Sequence, residues 1–300
     1  MARADAGHHR TGCAATPVSG RVRQGSARNR VRRAAFGLAT LLGRPRGFFI
    51  PYRYTASARP LPYPALEPIF RAAEPRFRRL LDLAEAHRAG LMLIQGGAGP
   101  ARFDQDWFPR LDAVAAYTII REERPARIVE IGSGHSTRFL ARAVSDGALT
   151  TAIVAIDPAP RATLSGLNVR HEPTLLAEAD PMLLASLGSG DVLFVDSSHV
   201  AMPGTDVDRI FADLLPRLPA GILVHVHDVL LPDAYPAEWA WRGYNEATVV
   251  AALVGSGAYE LLFSSHWVVS RQPDWLASGV VSELTLQPGA RETSLWLRKL

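Results

Sequence analysis

Lysine is almost missing from this chain of 300 residues, and Lys299 is the only one. Arginine supplies the rest of the basic charge, so the shortage reads as coding bias and not as a functional choice. Cysteine is equally scarce. Cys13 stands alone, which excludes an intrachain disulfide and fits a reducing compartment such as the cytoplasm. Acids are missing from the N-terminal fifth: residues 1–60 hold twelve arginines and only Asp5 against them. The remainder carries 21 basic and 28 acidic residues, so the positive balance belongs to the tail. The mildly acidic globular part offers no case for nucleic-acid binding. Long apolar runs are missing too. Ala34–Gly43 follows Arg30, Arg32 and Arg33 and faintly resembles a signal peptide, but it is too short to span a bilayer. It also lies late for a signal core, and no clear small-residue cleavage site follows. Stable membrane insertion is therefore not expected, and an unremoved basic tail or a misassigned start is preferred over secretion.

What is present is enough apolar residue, 48% of the chain, to bury a sizeable core. Residues 1–45 read as a basic tail, disordered to about Val31. Residues 46–125 read as an extended and helical cap. Within it Gly47–Pro64 is aromatic and proline rich, Pro75 opens a helix that Gly90 ends, and a second helix runs from Pro109 to Glu123 before Pro125. Residues 126–300 read as the main domain. Short apolar, β-branched runs at Arg127–Ile131, Thr151–Ile156, Val192–Val195 and Ile222–Val226 alternate with helical segments, which predicts an α/β fold with a doubly wound parallel sheet. Thr205 is placed to cap a helix that turns Val207, Ile210, Phe211, Leu214 and Leu215 inward. Asn245–Val254 reads as a helix, and Tyr259–Ser264 and Ser294–Leu300 as strands.

The polar residues fall at the carboxyl ends of these strands, where such sheets bind ligands. Glu130-Ile131-Gly132-Ser133-Gly134-His135-Ser136-Thr137 closes the first strand. Its glycines allow close backbone approach, and Ser136 or Thr137 can cap the next helix, whose N-terminus favours an anionic group. Asp157 closes the next strand and can accept hydrogen bonds from ribose hydroxyls. Thr137 stands where a dinucleotide fingerprint has its third glycine. Glu130 also puts negative charge where a pyrophosphate would lie, so a cofactor with an ammonium group fits better. Val195-Asp196-Ser197-Ser198-His199 and Val224-His225-Val226-His227-Asp228 end two further strands. Asp196, His227 and Asp228 suit a divalent cation, while His199 or His227 could serve as a general base. By strand alternation His225 shares a face with His227. Leu230–Asn245, with Tyr235, Trp239, Trp241 and Tyr244, reads as a lid or acceptor wall. Ser265–Thr293 reads as acceptor pocket or as the contact of a homodimer.

These blocks resemble the class I S-adenosylmethionine-dependent methyltransferases. More narrowly, they are similar to a bacterial branch that also shows Tyr117-Thr118-Ile119-Ile120-Arg121 and the Tyr235-Pro236 and Trp239 positions. The resemblance covers roughly residues 46–300. It implies a Rossmann-like seven-stranded sheet whose last strand is antiparallel, preceded by an N-terminal helical extension. It implies that Glu130, Gly132, Ser133 and Gly134 line the methionine end of S-adenosyl-L-methionine, that Asp157 holds its ribose, and that Asp196 borders it. It also implies a divalent metal such as Mg2+ at Asp196 and Asp228, although here His227 stands where an acid is common. After the lid, where the branch often has Trp-Asn-Glu-Gln, this chain has Tyr244-Asn245-Glu246-Ala247. The activity expected is O-methylation of a small-molecule or glycan hydroxyl. A nicotinamide-dependent oxidoreductase, a metal hydrolase using the Asp/His cluster and a non-catalytic scaffold are the alternatives.

Overall fold

The computed structural model describes residues 27–48 and 50–300. The described residues divide into two compact units, one drawn from residues 27–50 with 236–241 and one of residues 51–235 with 242–300. In the first unit the expected disorder of residues 1–26 lies outside the described residues. From Ala27 the chain is helical, so the tail is not featureless up to Val31: α1 spans Ala27–Leu41 and buries none of its residues.

The second unit opens with α2 (Glu67–Ala86), α3 (Arg88–Gln95) and α4 (Arg110–Glu123). Two glycine and proline signals mean something other than their usual sense. Pro75 does not open a helix but lies inside α2. Its ring is exposed, so water can solvate the carbonyl that loses its amide partner. Gly90 does not end a helix either. It sits within α3 because a Cβ there would lie 2.2 Å from the Tyr117 hydroxyl on α4. Phe70, Phe77, Leu81 and Ala84 form the buried stripe of α2, as the helical period requires. Phe70 stacks on Trp267 at 5.4 Å.

The sheet has seven strands: β1 (Arg127–Ile131), β2 (Ala152–Ile156), β3 (Arg170–Glu172), β4 (Val192–Val195), β5 (Leu223–Val226), β6 (Tyr259–Ser264) and β7 (Leu295–Lys299). Their order is β3-β2-β1-β4-β5-β7-β6. The first five are parallel, and β7 runs antiparallel between β5 and β6. Expectation and structure agree on the doubly wound sheet and its antiparallel last strand. β3 is the strand the apolar pattern does not reveal, because Arg170-His171-Glu172 is a short polar edge. The central β4 and β5 are buried at every residue.

Helix α5 (His135–Asp146) follows β1, and α6 (Pro181–Ala185) precedes β4. After β4 come α7 (Asp206–Asp208), a wider π-type stretch over Arg209–Leu214, and α8 (Leu215–Arg217). Thr205 caps this run by accepting from Asp208 N, as expected. Helix α9 (Glu246–Gly255) leads to β6. The Ser265–Thr293 segment contains α10 (Ser265–Arg271) and α11 (Val280–Glu283). It packs on the N-terminal helices: Trp267 Nε1 donates to Glu74 and Gln95 Nε2 to Thr285. Much of it is therefore scaffold.

Candidate active site

The turn after β1 is built from beneath. Glu130 is fully buried, and its two oxygens accept from Ser136 Oγ and Thr137 Oγ1, each at 2.6 Å. Burial pushes this carboxyl up to about 8 despite those two donors. It is then largely protonated at neutral pH, and the charge argument made from its sequence position does not hold in this arrangement. Of the two hydroxyls expected to cap the helix, Thr137 does so from its third position: the N–H of Gly134, the N-cap residue, donates to Thr137 Oγ1 at 2.9 Å.

Two glycines are obligatory here. Gly132 has φ +82°, and a Cβ on it would lie 1.8 Å from the Asp196 carbonyl oxygen. Gly134 has φ +156°, and its Cβ would press on Arg161 Cβ at 3.2 Å. Asp157 ties the ends of β1 and β2 together. Its Oδ2 accepts from Ser133 N at 2.7 Å and Ser133 Oγ at 3.1 Å, and its Oδ1 accepts from Ala159 N at 2.8 Å. Arg161 N donates back to the Ser133 carbonyl at 3.1 Å, and its guanidinium lies 4.3 Å over Trp107. An open cleft of about 540 Å³ adjoins this loop, lined by Arg161, Thr163, Val169 and His171 among others.

The ends of β4 and β5 bring the second set of predicted residues together. His199 Nε2 lies 3.4 Å from Asp196 Oδ1 and 3.6 Å from Asp228 Oδ2. His227 Nδ1 lies 3.4 Å from Asp196 Oδ1 and 3.8 Å from Asp228 Oδ1. Both rings are gripped from behind by carboxylates that the sequence reading passed over. Glu246 Oε2 on α9 is 2.9 Å from His199 Nδ1, and Asp112 Oδ2 on α4 is 3.2 Å from His227 Nε2. Asp112 also accepts from the amides of Thr293 and Ser294. A lone acid inside the otherwise apolar Leu111–Ala116 face was the available signal. Glu246 stands in the Tyr244-Asn245-Glu246-Ala247 block, where no local spacing links it to His199.

The charges follow from this geometry. Burial alone would depress both imidazoles, but their carboxylate neighbours outweigh it and hold both well above the usual 6.5. Burial would raise Asp196, but His227 and His199 hold it well below the ordinary carboxylate value. At neutral pH the histidines therefore carry protons, which is not the state of a free imidazole base. Exposure points the same way. The side chains of Asp196 and Asp228 are 25% and 13% exposed, against 3% for His199 and 5% for His227. The aspartates form the surface of the cluster and the imidazoles its backing. His199 and Asp228 also hold left-handed backbones, at φ +58° and +54°, a strain that concentrates at functional sites.

Among the described residues no group of three or more His, Cys, Asp or Glu side chains is arranged to hold a metal ion. The proposed set of Asp196, His227 and Asp228 is instead ion-paired internally. His225 lies outside the cluster's work. It is sandwiched on Phe194 at 3.7 Å, bonded to Ser294 Oγ, and kept neutral by burial. Two aromatics of the Leu230–Asn245 segment lie near the cluster: Tyr244 is 4.6 Å from the His199 ring and Tyr235 is 6.2 Å from Tyr244.

Residues 129–229, from β1 to just past β5, match the family model described as a methyltransferase domain. Both halves of the site just described fall within it, apart from Asp112, Glu246 and the Tyr wall. No curated protein matches the chain. Among solved structures it is similar to the SAH-bound methyltransferase PaMTH1 of Podospora anserina, at 17% identity, covering 85% of this chain and 99% of that one with a TM-score of 0.40. It is also similar to the O-methyltransferase TomG of Streptomyces achromogenes, involved in tomaymycin synthesis and bound to SAM, at 16% identity, 72% and 89% coverage and a TM-score of 0.39. A third is the plantazolicin methyltransferase BpumL in complex with SAH, at 14% identity, 74% and 99% coverage and a TM-score of 0.42.

Proposed function

We propose that this methyltransferase domain moves the methyl group of S-adenosylmethionine to a hydroxyl of a small molecule or glycan, in the cytoplasm. One observation carries the reading. A Cβ on Gly132 would strike the backbone of Asp196, so the glycine turn and the acid–imidazole cluster share one rim within a methyltransferase domain.

The turn fits the cofactor in having a floor free of side chains at Gly132 and Gly134. Ser133 and Gly134 face the methionine end in this reading. Asp157 turns its remaining lone pairs to the ribose hydroxyls, beside the cleft lined by Arg161 and His171. When bound, the sulfonium supplies an electrophilic methyl group. The chain's part is to place an acceptor oxygen in line with it, and proximity provides much of the rate. Asp196 and Asp228 accept hydrogen bonds from the acceptor hydroxyl, and Asp228 takes its proton as the methyl group is transferred. His199 and His227, braced by Glu246 and Asp112, keep those carboxylates aimed. Mg2+ fits this donor set poorly, because it prefers a shell of oxygens and two imidazoles occupy the space between the aspartates. No step is assigned to it.

The rival readings find less support. Thr137 takes the Gly134 amide that a pyrophosphate would need, which disfavours a nicotinamide cofactor. A metal hydrolase needs a ligand set the described residues do not form. Calorimetry with S-adenosylmethionine and its demethylated product should show micromolar binding. Asp196→Asn and Asp228→Asn should keep that binding and lose transfer of labelled methyl to an acceptor found in cell extract. Absence of binding to either compound would overturn the reading.

A further inference from the structure

Helix α1 presents an apolar stripe and a basic rim that the methyl-transfer reading leaves unused. Val31, Ala34, Leu38 and Leu41 are spaced three, four and three residues apart, which puts them on one helix face. None of the helix is buried, and Val31, Leu38 and Leu41 are 69%, 59% and 70% exposed. Arg28, Arg30, Arg32 and Arg33 lie within the first two turns of the same helix. Arg32 also lies 5.3 Å over the Phe36 ring. The helix holds no acid. The next residues of the same unit continue the character, with Leu42, Phe48 and Ile50 exposed.

We propose that α1 lies on the surface of an anionic phospholipid bilayer, its Val31–Leu38–Leu41 stripe in the head-group boundary and its arginines on lipid phosphates. Charge selects this occupant. A helix with arginines and no acid is repelled by a second copy of itself but attracted by an anionic leaflet. A nucleic acid would satisfy the arginines yet leave the stripe in water, whereas an interfacial helix uses both. The stripe is too short and too interrupted to span. No described helix is long and apolar enough to cross a membrane. Surface binding would hold the enzyme at the cytoplasmic face without insertion, and it does not depend on which acceptor is methylated.

The test uses the full chain and sedimentation with vesicles. It should pellet with phosphatidylcholine mixed with phosphatidylglycerol and stay in solution with phosphatidylcholine alone. Leu38→Asp with Leu41→Asp should weaken binding at least roughly tenfold, since both apolar anchors are lost. Arg28→Ser, Arg32→Ser and Arg33→Ser together should weaken it roughly a hundredfold. An unchanged circular-dichroism melt in both variants would show that the fold is intact, whatever the fate of the methyl-transfer reading. Failure of the full chain to bind the anionic vesicles would overturn the proposal. So would undiminished binding by the double leucine variant, or tighter binding to a single-stranded RNA that displaces the vesicles.

Discussion

The Glu246 carboxylate meets Nδ1 of His199 at 2.9 Å with both side chains sealed from water. The pair joins α9 to the loop after β4 and presents the other ring nitrogen to Asp196 and Asp228. Glu246→Ala leaves a buried imidazole without its partner. Such breaks cost about 3–5 kcal/mol, and urea denaturation should show a loss of that order. Glu246→Gln keeps an acceptor oxygen and should cost markedly less. Equal losses in both variants would mean that the carboxylate's charge, and not its hydrogen bond, is what matters.

Stability should decline on the alkaline side. The folded chain holds protons on His199 and His227 more tightly than the unfolded chain, whose histidines titrate near 6.5. Their contribution is complete below about pH 6.5 and is lost as pH rises through the raised folded values. Melting temperatures measured from pH 6 to 9 should fall, and His199→Asn should flatten that fall. An equally steep decline in the variant would assign it to other groups.

Glu130 gives a second, separable pH effect. Its folded carboxyl is raised from 4.5 to about 8, so the fold favours the protonated acid and resists ionisation between those values. Glu130→Gln removes that resistance while keeping a similar shape. The stability difference should therefore move in the variant's favour as pH rises from 4.5 to 8 and level off above. At 1.36 kcal/mol per pKa unit, the change is on the order of a few kcal/mol. A difference independent of pH would show that Glu130 ionises in the folded chain at its ordinary value.

Gly132→Ala should be among the most damaging single-methyl additions in the chain. Its Cβ meets backbone, which cannot rotate away, in a left-handed conformation that alanine disfavours. A loss above about 3 kcal/mol is expected, with weakened cofactor binding by calorimetry. Gly97, also left-handed but with nothing within 4 Å, is the control: Gly97→Ala should cost about 1 kcal/mol.

Sequence reading recovered the sheet because β1, β2, β4 and β5 announce themselves as β-branched runs, and it placed Asp196, His199, His227 and Asp228 at one rim because parallel strands end together. It missed β3, whose residues are polar, and misread Pro75 and Gly90, whose roles depend on which side faces solvent and on the distant Tyr117. It gave His199 and His227 the part of free bases because pattern alone cannot count the carboxylates behind a ring. Asp112 lies 115 residues from His227 in sequence, and no local spacing connects them.

The contact of Gly132 with Asp196 is main chain upon main chain. Under the proposed function, the span from the methyl donor's floor to the acids facing the acceptor would be fixed by main chain and not by any adjustable side chain. Substitutions at Tyr235 and Tyr244 would then reshape what is admitted while the reach of the transferred group stays constant. A scaffold of this kind is a suitable starting point for redirecting acceptor choice by changing the wall alone.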